Sequence, residues 1–452
     1  MTETFDVAVI GAGAAGLMAA ICAGRAARSE QSQHPNPRSF RVIALDGART
    51  LGAKILVAGG GRCNVTHHAV DEHQYAGASR NAIKKILRRF DVAQTIEFFS
   101  ALGVELKREE TGKLFPTTDR ARTVLDALLN AAHDAGVEIR NPWRVGTIRE
   151  HEEGNARGFL IEHTPILEHT PPSLLARRVV LATGGKSLPK TGSDGEGYHL
   201  ARALGHTITP RVFPALVPLT LPPDHFICTL SGFTLPATFE VRSGTGKRLV
   251  SFTNSTLCAH FGLSGPSVLD ISRYYLDAQA SDPGAVLVMN WLPDKTLETV
   301  DNALRALGRS TPARWLRDRF PERATEAFLK AAQVPGSITG DQLTREQRRR
   351  LATIVTETPL PITGSRGFTY AEVTAGGVPL SELRLETMES RACPGLHLCG
   401  EICDVDGRIG GFNFQWAWAS GFVAGSAAGA AASTTNSACP ISTSTKPGGM
   451  SL

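Results

Sequence analysis

Residues 5–20 of the chain read FDVAVIGAGAAGLMAA, and this stretch decides the fold class. Residues 5–10 form an apolar run rich in branched side chains, which predicts a buried strand, and residues 17–27 have helical character. Between them Gly11, Gly13 and Gly16 follow the order G-x-G-x-x-G. The first glycine permits a tight turn, the second lets a pyrophosphate approach the main chain, and the third allows close helix–strand packing. The pattern therefore predicts a dinucleotide-binding strand–turn–helix unit.

Asp46 is the acidic residue that this unit requires. It directly follows a second predicted strand at residues 41–45, where such folds place a carboxylate that binds a ribose hydroxyl. Its distance from Gly16 exceeds the usual spacing of about 20 residues. The polar, proline-containing segment 29–39 accounts for the excess as an exposed loop. We therefore predict that Asp46 holds the ribose.

The composition excludes several classes of protein. The chain has 452 residues with 42% apolar and 20% charged residues. Its 45 glycines exceed the roughly 32 expected at an average of about 7%. These values exclude a disordered chain, collagen and a small disulfide scaffold, and they imply two or three domains of ~150 residues. The formal net charge of +5 is too small to identify a partner.

The cysteines and the apolar segments indicate which cellular compartment to expect. Eight cysteines are scattered without paired spacing, and Cys399 and Cys403 form neither a CxxC pair nor a zinc knuckle. We therefore expect free thiols, a reducing compartment and no metal site. No signal peptide and no apolar stretch of 18 residues is present. A soluble cytoplasmic protein without a membrane segment is the resulting expectation.

The order in which strand-like and helical segments occur along the chain predicts an α/β fold with an insertion. Short strand-like runs broken by prolines and glycines interrupt the strand–helix alternation, and an arginine-rich helical stretch follows them. We predict a discontinuous Rossmann-like domain that carries an inserted β-rich plus helical domain. The predicted bounds are 1–205 for the first part of the Rossmann-like domain (helices at 81–103 and 120–135, a strand at 177–181), 206–295 for the β-rich insertion, 296–360 for its helical part, 361–432 for the second part (a helix at 411–431), and 433–452 for a disordered tail.

Two further glycine-rich segments predict contacts with a ligand. Residues 52–66 read GAKILVAGGGRCNVT, in which three consecutive glycines are costly unless main chain must lie against a flat or phosphorylated group. Lys54 and Arg62 there could balance a pyrophosphate or a reduced flavin, and a flexible surface loop is the alternative. Residues 400–418 read GEICDVDGRIGGFNFQWAW, a strand, an acidic turn, a diglycine and a helix start. The helix N-terminus suits the negative charge that develops on a reduced flavin.

These segments, in this order, resemble the BaiN/RdsA-type (YhiN-like) FAD-dependent oxidoreductases. The resemblance spans residues 5 to about 425, and the combination of GGGRCN with GGFNFQWAW is highly specific. It implies a flavoprotein of the two-dinucleotide-binding-domain type. The matching stretches are DVAVIGAGAAGLMAA, GAKILVAGGGRCNVT, ETGKLFP, LATGGKSLPKTGSDGEGY, ALVPL, GLSGPSVLDIS, YAEVTAGGV, TMES and CGEICDVDGRIGGFNFQWAWASG.

The resemblance implies a set of FAD contacts but assigns no catalytic residue. The implied contacts are Gly11, Gly13, Ala14, Ala15 and Gly16 at the pyrophosphate; Asp46 at the adenosine ribose; Lys54, Gly60, Gly61, Arg62, Cys63 and Asn64 near the pyrophosphate and flavin ring; the backbone of Val145 at adenine; Thr183, Gly184 and Gly185 over the cofactor; and Gly400, Glu401, Gly410, Gly411, Phe412 and Asn413 around the ribityl chain and pyrimidine.

Four residues near these motifs have open roles. Cys63 is either a redox thiol or a packing residue, because a reactive thiol needs thiolate character. His260 is either a proton donor or structural, and its place is altered: the family runs Phe-Thr-His directly into GLSGP, whereas residues 254–259 separate these elements here. Cys399 and Cys403 occupy positions that are usually apolar in the family, which favours packing.

The expected function follows from the resemblance. It implies a reductase that transfers hydride from flavin N5 to an activated C=C bond, with NAD(P)H as the donor. Residues 192–197 have the wrong spacing for a second dinucleotide site, so the nicotinamide would dock transiently. One alternative is dihydrouridine synthesis in ribosomal RNA, supported by an arginine-rich helix with Arg345, Arg348, Arg349 and Arg350. Another is a flavin-bound sensor without turnover; the substrate class and the oligomeric state stay open.

Overall fold

The structure divides the chain into two compact units. It is a computed structural model that describes residues 2–31, 40–153, 156–164 and 171–434. Unit 1 comprises residues 1–212 and 374–452, and unit 2 comprises residues 213–373.

The described residues form the following strands and α-helices, numbered along the chain. The strands are β1 (Glu3–Ile10), β2 (Val42–Leu45), β3 (Thr66–His67), β4 (Tyr75–Gly77), β5 (Leu106–Arg108), β6 (Lys113–Pro116), β7 (Val137–Arg140), β8 (Val145–Glu153), β9 (Ala156–His163), β10 (Leu174–Leu181), β11 (Phe213–Ala215), β12 (Leu219–Thr220), β13 (Thr234–Arg242), β14 (Arg248–Ala259), β15 (Gly262–Ser264), β16 (Val286–Asn290), β17 (Thr358–Leu360), β18 (Gly364–Ser365), β19 (Val373–Ala375), β20 (Leu383–Arg384), β21 (Glu389–Ser390), β22 (Leu396–Leu398) and β23 (Val405–Gly407). The helices are α1 (Ala14–Gln31), α2 (Ala53–Gly61), α3 (Arg80–Leu87), α4 (Val92–Ala101), α5 (Ala121–Asp134), α6 (Glu196–Ala203), α7 (Phe226–Thr229), α8 (Pro266–Ser281), α9 (Leu297–Arg305), α10 (Pro312–Arg317), α11 (Glu322–Ala332), α12 (Arg345–Thr356) and α13 (Phe412–Thr434).

The main sheet of unit 1 has a parallel centre. Its strands follow the order β20-β21-β22-β10-β1-β2-β7, and β1 runs parallel to both β10 and β2. The carboxyl-terminal half of β1 is fully covered, as expected for a strand that is buried on both faces of a parallel sheet. The connection from β1 through α1 to β2 is the βαβ unit that the glycine motif predicts. The glycine turn therefore lies at the carboxyl edge of the sheet.

The last helix completes unit 1 by packing on the first. Gly421, Gly425 and Gly429 recur every four residues along α13 and face α1. A Cβ at Gly425 would lie 2.1 Å from the carbonyl oxygen of Ala19, so only glycine allows the two backbones to approach this closely. Trp418 on α13 donates from its indole nitrogen to the Val65 carbonyl at 2.8 Å. The second part of the discontinuous domain is thereby fixed beside both N-terminal glycine segments.

Unit 2 has its own sheet and its own core. Its strands are ordered β17-β16-β13-β14-β15-β12-β18, and all six neighbouring pairs are antiparallel. Helix α8 packs on β13 and β14, and α9 to α12 lie in the same unit. Phe239, Trp291 and Phe328 are among the largest fully buried side chains of its core. The predicted fold class, a discontinuous Rossmann-like domain with an inserted β-rich and helical domain, is confirmed.

Several predicted bounds are wrong for local reasons. The helix predicted at 81–103 is two helices, because the Asp91 side chain accepts from the Gln94 amide and caps a new helix. The glycine-dense loop at 52–64 contains α2, which kinks where Gly59 and Gly60 adopt positive φ. Residues 361–373 belong to unit 2, because β18 pairs with β12 there.

Parts of three other predictions lie outside the described residues. Ser29 belongs to α1, whereas residues 32–39 of the predicted loop are not described. Ser433 belongs to α13, and the rest of the predicted tail, residues 435–452, is not described. The seven described cysteines are free and buried, while Cys439 lies outside these ranges. Among the described helices, none has the length and apolar character that a bilayer crossing needs.

Candidate functional site

The first glycine turn has one tightly packed side and one open side. A Cβ at Gly16 would lie 1.7 Å from the Gly11 carbonyl oxygen, and one at Gly11 would lie 2.5 Å from that of Ala182. A Cβ at Gly13 would meet nothing within 4 Å. Helix α1 begins at Ala14, so the amides of Ala14, Ala15 and Gly16 belong to its first turn and have no partner within the helix. This geometry leaves room and donors for a phosphate at Gly13.

Asp46 closes the turn from the second strand. Its Oδ2 accepts the Ala12 amide at 2.7 Å, and its Oδ1 accepts the Ala48 amide at 2.8 Å. Burial raises the pKa of Asp46, and the two backbone hydrogen bonds oppose that shift. Each carboxylate oxygen keeps lone-pair capacity for a further donor. The position fits the predicted ribose contact, which stays a prediction.

The triple-glycine segment adopts left-handed backbone conformations at the end of α2. Gly59, Gly60 and Gly61 have φ values of 59°, 69° and 83°, and Cys63 follows at 61°. A Cβ at Gly60 would meet nothing within 4 Å, whereas one at Gly59 would meet the Phe115 ring at 3.0 Å. Main chain at Gly60 is therefore open to a ligand. The amide oxygen of Asn64 nearby is buried and has no hydrogen-bond partner among the described residues.

A lysine–glutamate pair joins the second glycine segment to the third. Lys54 Nζ lies 2.5 Å from Glu401 Oε2 and 2.6 Å from Ser187 Oγ. Ser187 Oγ also donates to Glu401 Oε1 at 2.7 Å, and the Thr374 amide donates to the same oxygen at 3.0 Å. Both charges are mostly covered, with exposed side-chain fractions of 27% and 18%. The cluster holds three distant parts of unit 1 together.

Arg62 is paired away from the glycine segments. Its guanidinium lies 2.6 Å from Glu109 and 3.5 Å from Asp119, and it stacks over the Phe115 ring at 4.0 Å. Lys54 and Arg62 thus each have a carboxylate partner. Neither offers the unbalanced positive charge that the sequence analysis expected of them, and their cofactor contacts stay predictions.

Cys63 is placed as a packing residue. Its side chain is fully covered, and burial raises the pKa of the thiol to about 12. A thiol with such a pKa stays protonated at neutral pH and lacks the thiolate character that redox chemistry needs. Cys399 and Cys403 are likewise fully covered, and burial raises the pKa of both thiols. Packing is therefore the better interpretation of all three.

The third glycine segment is shaped by its own side chains. The Asn413 amide group accepts from the Gly407 amide and donates to the Gly407 carbonyl, both at 2.8 Å. Gly410 and Gly411 have φ values of 128° and 97°, and a Cβ at Gly411 would lie 2.6 Å from Thr66 backbone. Asn413 therefore holds the turn that precedes α13, and its backbone amide, with that of Phe412, lies in the helix's first turn.

Thr183 and its neighbours lie between β10 and α6. Gly184 has a φ of 72°, and a Cβ at Gly185 would lie 2.8 Å from Glu401 Oε1. The Thr183 hydroxyl is buried, and no described residue is its hydrogen-bond partner. Val145 opens β8, next to Arg144, and is buried in the core of unit 1. Its predicted backbone contact with adenine is untested.

The structure brings in polar residues that the sequence analysis missed. Ser187 and Thr374 complete the cluster at Glu401; the only sequence signal was the KS pair directly after Gly185. Gln415 accepts from the Thr66 hydroxyl at 2.7 Å and from the Thr95 hydroxyl at 3.0 Å, and it is fully buried. Such contacts depend on residues far apart in the chain, so no local spacing reveals them.

Two further features are the predicted open role of His260 and a surface group of acidic and histidine side chains that the sequence did not indicate. His260 is exposed in the turn between β14 and β15 in unit 2, with its ring edge-on to Phe261. Asp71, Glu72 and His73 bring potential metal ligands together at the surface. Local interactions explain that group, because Asp71 caps a short turn and Glu72 pairs with Lys84.

The arrangement in unit 1 fits a dinucleotide cofactor. Two glycines, Gly13 and Gly60, leave open space along main chain, and the first turn of α1 offers unused amides. Two buried polar atoms, Asn64 Oδ1 and Thr183 Oγ1, have no hydrogen-bond partner in the described part of the chain, although buried polar groups are normally hydrogen-bonded. A nucleotide with hydroxyl and phosphate groups supplies what these atoms lack. The fold is of the Rossmann type, and the site offers the space and the donors that a dinucleotide would need.

Comparisons with known proteins identify the family. Residues 5–427 match the HI0933-like protein Rossmann domain family, and the chain belongs to it. It is 33% identical over 421 residues to the ribosomal RNA dihydrouridine synthase of Escherichia coli, covering 92% of this chain and 96% of that protein. It is 34% identical over 427 residues to the 3-dehydro-bile acid delta(4,6)-reductase of Clostridium scindens, covering 93% and 98%. A Haemophilus influenzae ribosomal RNA dihydrouridine synthase is 29% identical over 428 residues, covering 93% and 98%.

The family resemblance inferred from the motifs is confirmed, and the chain is an enzyme, a flavin-binding oxidoreductase. The sensor without turnover is therefore set aside.

Proposed function

We propose that the chain is an FAD-dependent reductase that adds hydride to a C=C bond conjugated with a carbonyl group, with NADH or NADPH as the electron donor. One observation carries the proposal. Two relatives of nearly equal similarity are named for different substrates, a bile acid and ribosomal RNA, yet each name describes the saturation of a ring C=C bond. Similarity over more than 90% of each chain supports a shared chemistry with different acceptors.

The residues of unit 1 would divide the binding of FAD among them. The amides of Ala14 and Ala15 at the start of α1 would hold the pyrophosphate above Gly13, and Asp46 would accept from the ribose. Asn64 and Thr183 would satisfy their buried oxygens on the cofactor. When bound, the flavin supplies the hydride from N5. The first turn of α13 would place its amides opposite the negative charge of the reduced ring.

Two features of the chain restrict the route by which electrons would reach the flavin. Cys63 stays protonated, so it does not relay them. Among the described residues of unit 1, one turn has the G-x-G-x-x-G pattern, the turn that follows β1. Gly192 and Gly195 do not form a second one, because they flank a short turn before α6. Without a second dinucleotide site in the described residues, NAD(P)H would dock transiently where the acceptor binds. We place this reaction in the cytoplasm, as expected from the sequence.

The test begins with the purified protein. We expect it to be yellow, or to become yellow with added FAD, and to release FAD on denaturation. Under anaerobic conditions NADPH or NADH should then remove the flavin's visible absorption band. A colourless protein that takes up no FAD contradicts the proposal, and so does a bound flavin that neither nicotinamide reduces.

A second candidate narrows the acceptor to a uridine of ribosomal RNA. The two dihydrouridine synthases among the relatives favour it. The arginine-rich helix α12 supports it less than the sequence analysis expected, because Arg348 pairs with Asp301 and Arg350 pairs with Glu346. Mass spectrometry of ribosomal RNA nucleosides from a strain that lacks the gene tests it. Unchanged dihydrouridine content would exclude this acceptor.

A further inference from the structure

One short segment of unit 1 has a formal charge of +5, which equals the formal net charge of the whole chain. Residues 80–89 read RNAIKKILRR, with five basic and no acidic residues. The formal net charge of the chain is +5, so the other residues are balanced. The segment comprises α3 and the two residues of the following turn. This basic segment differs from α12, in which Arg348 pairs with Asp301 and Arg350 pairs with Glu346.

The charged side of the basic segment is exposed and unpaired. Ile83, Ile86 and Leu87 face the core, and the charges lie on the opposite side of the helix. The exposed side chains that have no hydrogen-bond or ion-pair partner among the described residues are those of Arg80, Lys85, Arg88 and Arg89.

The neighbouring charges do not neutralise this surface. Lys84 is the one member that pairs, with Glu72 at 2.7 Å. Of the other nearby acids, Asp71 lies against His73 and caps its own turn, and Asp91 caps α4. Like charges at one-turn spacing repel one another, so this arrangement weakens the isolated helix. An exposed anion would relieve that repulsion.

The fold attaches the basic segment to the third glycine segment. Strand β4, three residues before α3, pairs antiparallel with β23, so that Tyr75 lies opposite Gly407. The Tyr75 hydroxyl donates to the Phe412 carbonyl at 2.8 Å, and the Ala78 amide donates to the Asp404 carbonyl at 2.9 Å. Helix α3 also packs on α13. A polyanion held by the basic segment would therefore lie beside the segment predicted to surround the flavin.

We infer that the basic segment is the docking surface for the sugar–phosphate backbone of an RNA substrate. This inference rests on the proposed reductase function and names the class of molecule that carries the reducible base. Phosphate contacts position a nucleic acid without reading its sequence, and Arg and Lys provide them. An enzyme that acts on a base must then take that base out of its stack. The basic segment would hold the strand while one uracil enters the flavin site.

Two variants of equal charge test the location of the surface. The first is the triple variant Lys85→Gln, Arg88→Gln, Arg89→Gln. The matched control is Arg305→Gln, Arg309→Gln, Arg314→Gln, which removes three exposed arginines without described side-chain partners from unit 2, outside the arginine-rich helix α12. The probe is a fluorescein-labelled, uridine-containing single-stranded RNA, and its Kd is measured by anisotropy over a series of KCl concentrations. Every protein is used as the flavin-loaded full chain.

The expected result is specific to the basic segment. Each phosphate contact contributes about 0.7 to the slope of log K against log[salt] for a single strand, so the first variant should lower the slope by about 2. Its Kd should rise at least tenfold, while that of the control stays within about threefold. Anaerobic reduction of its flavin by the nicotinamide should be unchanged, since none of the three residues belongs to the predicted cofactor site.

Four results would overturn the inference. The first three are an equal loss of RNA affinity in the two triple variants, no change of RNA affinity in the first variant, and no RNA binding by the parent protein. The fourth is a raised KM for NADPH in the first variant with unchanged RNA binding, which would assign the surface to a nucleotide phosphate. Because RNA binding is measured without turnover, a protein that binds RNA through these residues but whose flavin is not reduced would contradict the reductase proposal alone.

Discussion

Lys54 Nζ lies 2.5 Å from Glu401 Oε2, although 347 positions separate the two residues in the chain. The pair links α2, in the first part of unit 1, to the turn after β22, in the second part. Ser187 contacts both partners and brings in the segment after β10. The second and third glycine segments and the segment after β10, all predicted to contact FAD, therefore depend on one small polar cluster. Its loss should affect cofactor binding and stability together.

We expect Lys54→Met to destabilise unit 1 and to weaken FAD binding. The substitution keeps the apolar stem but leaves the Glu401 carboxylate, which is 18% exposed, without its cation. An unpaired, partly covered charge costs about 1–3 kcal/mol, so the free energy of unfolding should fall by that amount. Urea denaturation of the apoprotein and FAD titration measure the two effects.

The exposed Lys190 supplies the control for this variant, because Lys190→Met removes a lysine that has no described partner. It should leave both quantities unchanged. The double variant Lys54→Met, Glu401→Gln should regain part of the lost stability, since no unpaired charge remains. Strictly additive effects of the two substitutions would contradict the coupling.

Two glycines of the first turn should respond differently to alanine. At Gly13 an added Cβ meets open space, so Gly13→Ala should leave the melting temperature of the apoprotein unchanged and raise the Kd for FAD about tenfold or more, because the methyl group occupies the pyrophosphate position. At Gly16 an added Cβ would lie 1.7 Å from the Gly11 carbonyl oxygen, so Gly16→Ala should destabilise the apoprotein itself. Thermal unfolding with and without FAD separates these effects. Unchanged FAD affinity in Gly13→Ala would show that the cofactor does not lie there.

The parts of the fold that the sequence predicts well are those that short-range patterns determine. Strand β1, the glycine turn and α1 are adjacent in the chain, and Asp46 marks the end of β2, so spacing alone locates them. The sequence analysis singled out the arginines of α12 and not the basic segment, whose exposure on one helix face required the structure. The predicted single helix at 81–103 failed because two amphipathic helices follow each other with continuous apolar spacing.

Other parts depend on contacts that no local pattern encodes. The carboxylate partners of Lys54 and Arg62 come from distant segments, so the sequence assigned both cations to the cofactor alone. Strand β18 has only two residues, and it joins unit 2 by pairing with β12 far upstream. A strand this short has no detectable periodicity. Its position follows from the sheet that it completes.

Cys63→Ala should preserve turnover and change the response to alkaline pH. Burial raises the pKa of the thiol to about 12 from an ordinary value of 9.0, so folding favours the protonated form. That contribution is present below pH 9 and is lost as pH rises from about 9 to 12, by up to 1.36 kcal/mol per pH unit. In Cys63→Ala the free energy of unfolding should fall less steeply above pH 9. Urea denaturation at several pH values measures the slope.

Flavin reduction by NAD(P)H provides the second measurement on this variant. Its rate should stay within about threefold of the parent value, because a protonated thiol takes no part in electron transfer. A loss of a hundredfold or more with intact FAD binding would instead assign Cys63 a chemical role.

His397 in β22 should make the protein sensitive to mild acid. Its imidazole is buried, and desolvation lowers the pKa to about 4, although Nδ1 lies 2.9 Å from the Thr387 carbonyl oxygen. The ordinary value is 6.5, so the fold favours the neutral ring. The resulting stability is complete above pH 6.5 and is lost as pH falls toward 4, up to roughly 2–3 kcal/mol in total. Glu389, whose pKa is lowered, adds its own loss only below about pH 4.5.

The window between pH 6.5 and 5 lies above the range in which Glu389 contributes, but His67 and His225, whose pKa values burial also lowers, add to the slope there. In His397→Gln the free energy of unfolding should be lower at pH 7, because a fitted buried side chain is replaced, and it should fall less steeply across this window than that of the parent protein. The control His133→Gln removes a histidine whose side chain is 90% exposed, and it should keep the slope of the parent protein. Urea denaturation at intervals of half a pH unit measures all three proteins. Equal slopes for the parent and His397→Gln would show that another group titrates in this range.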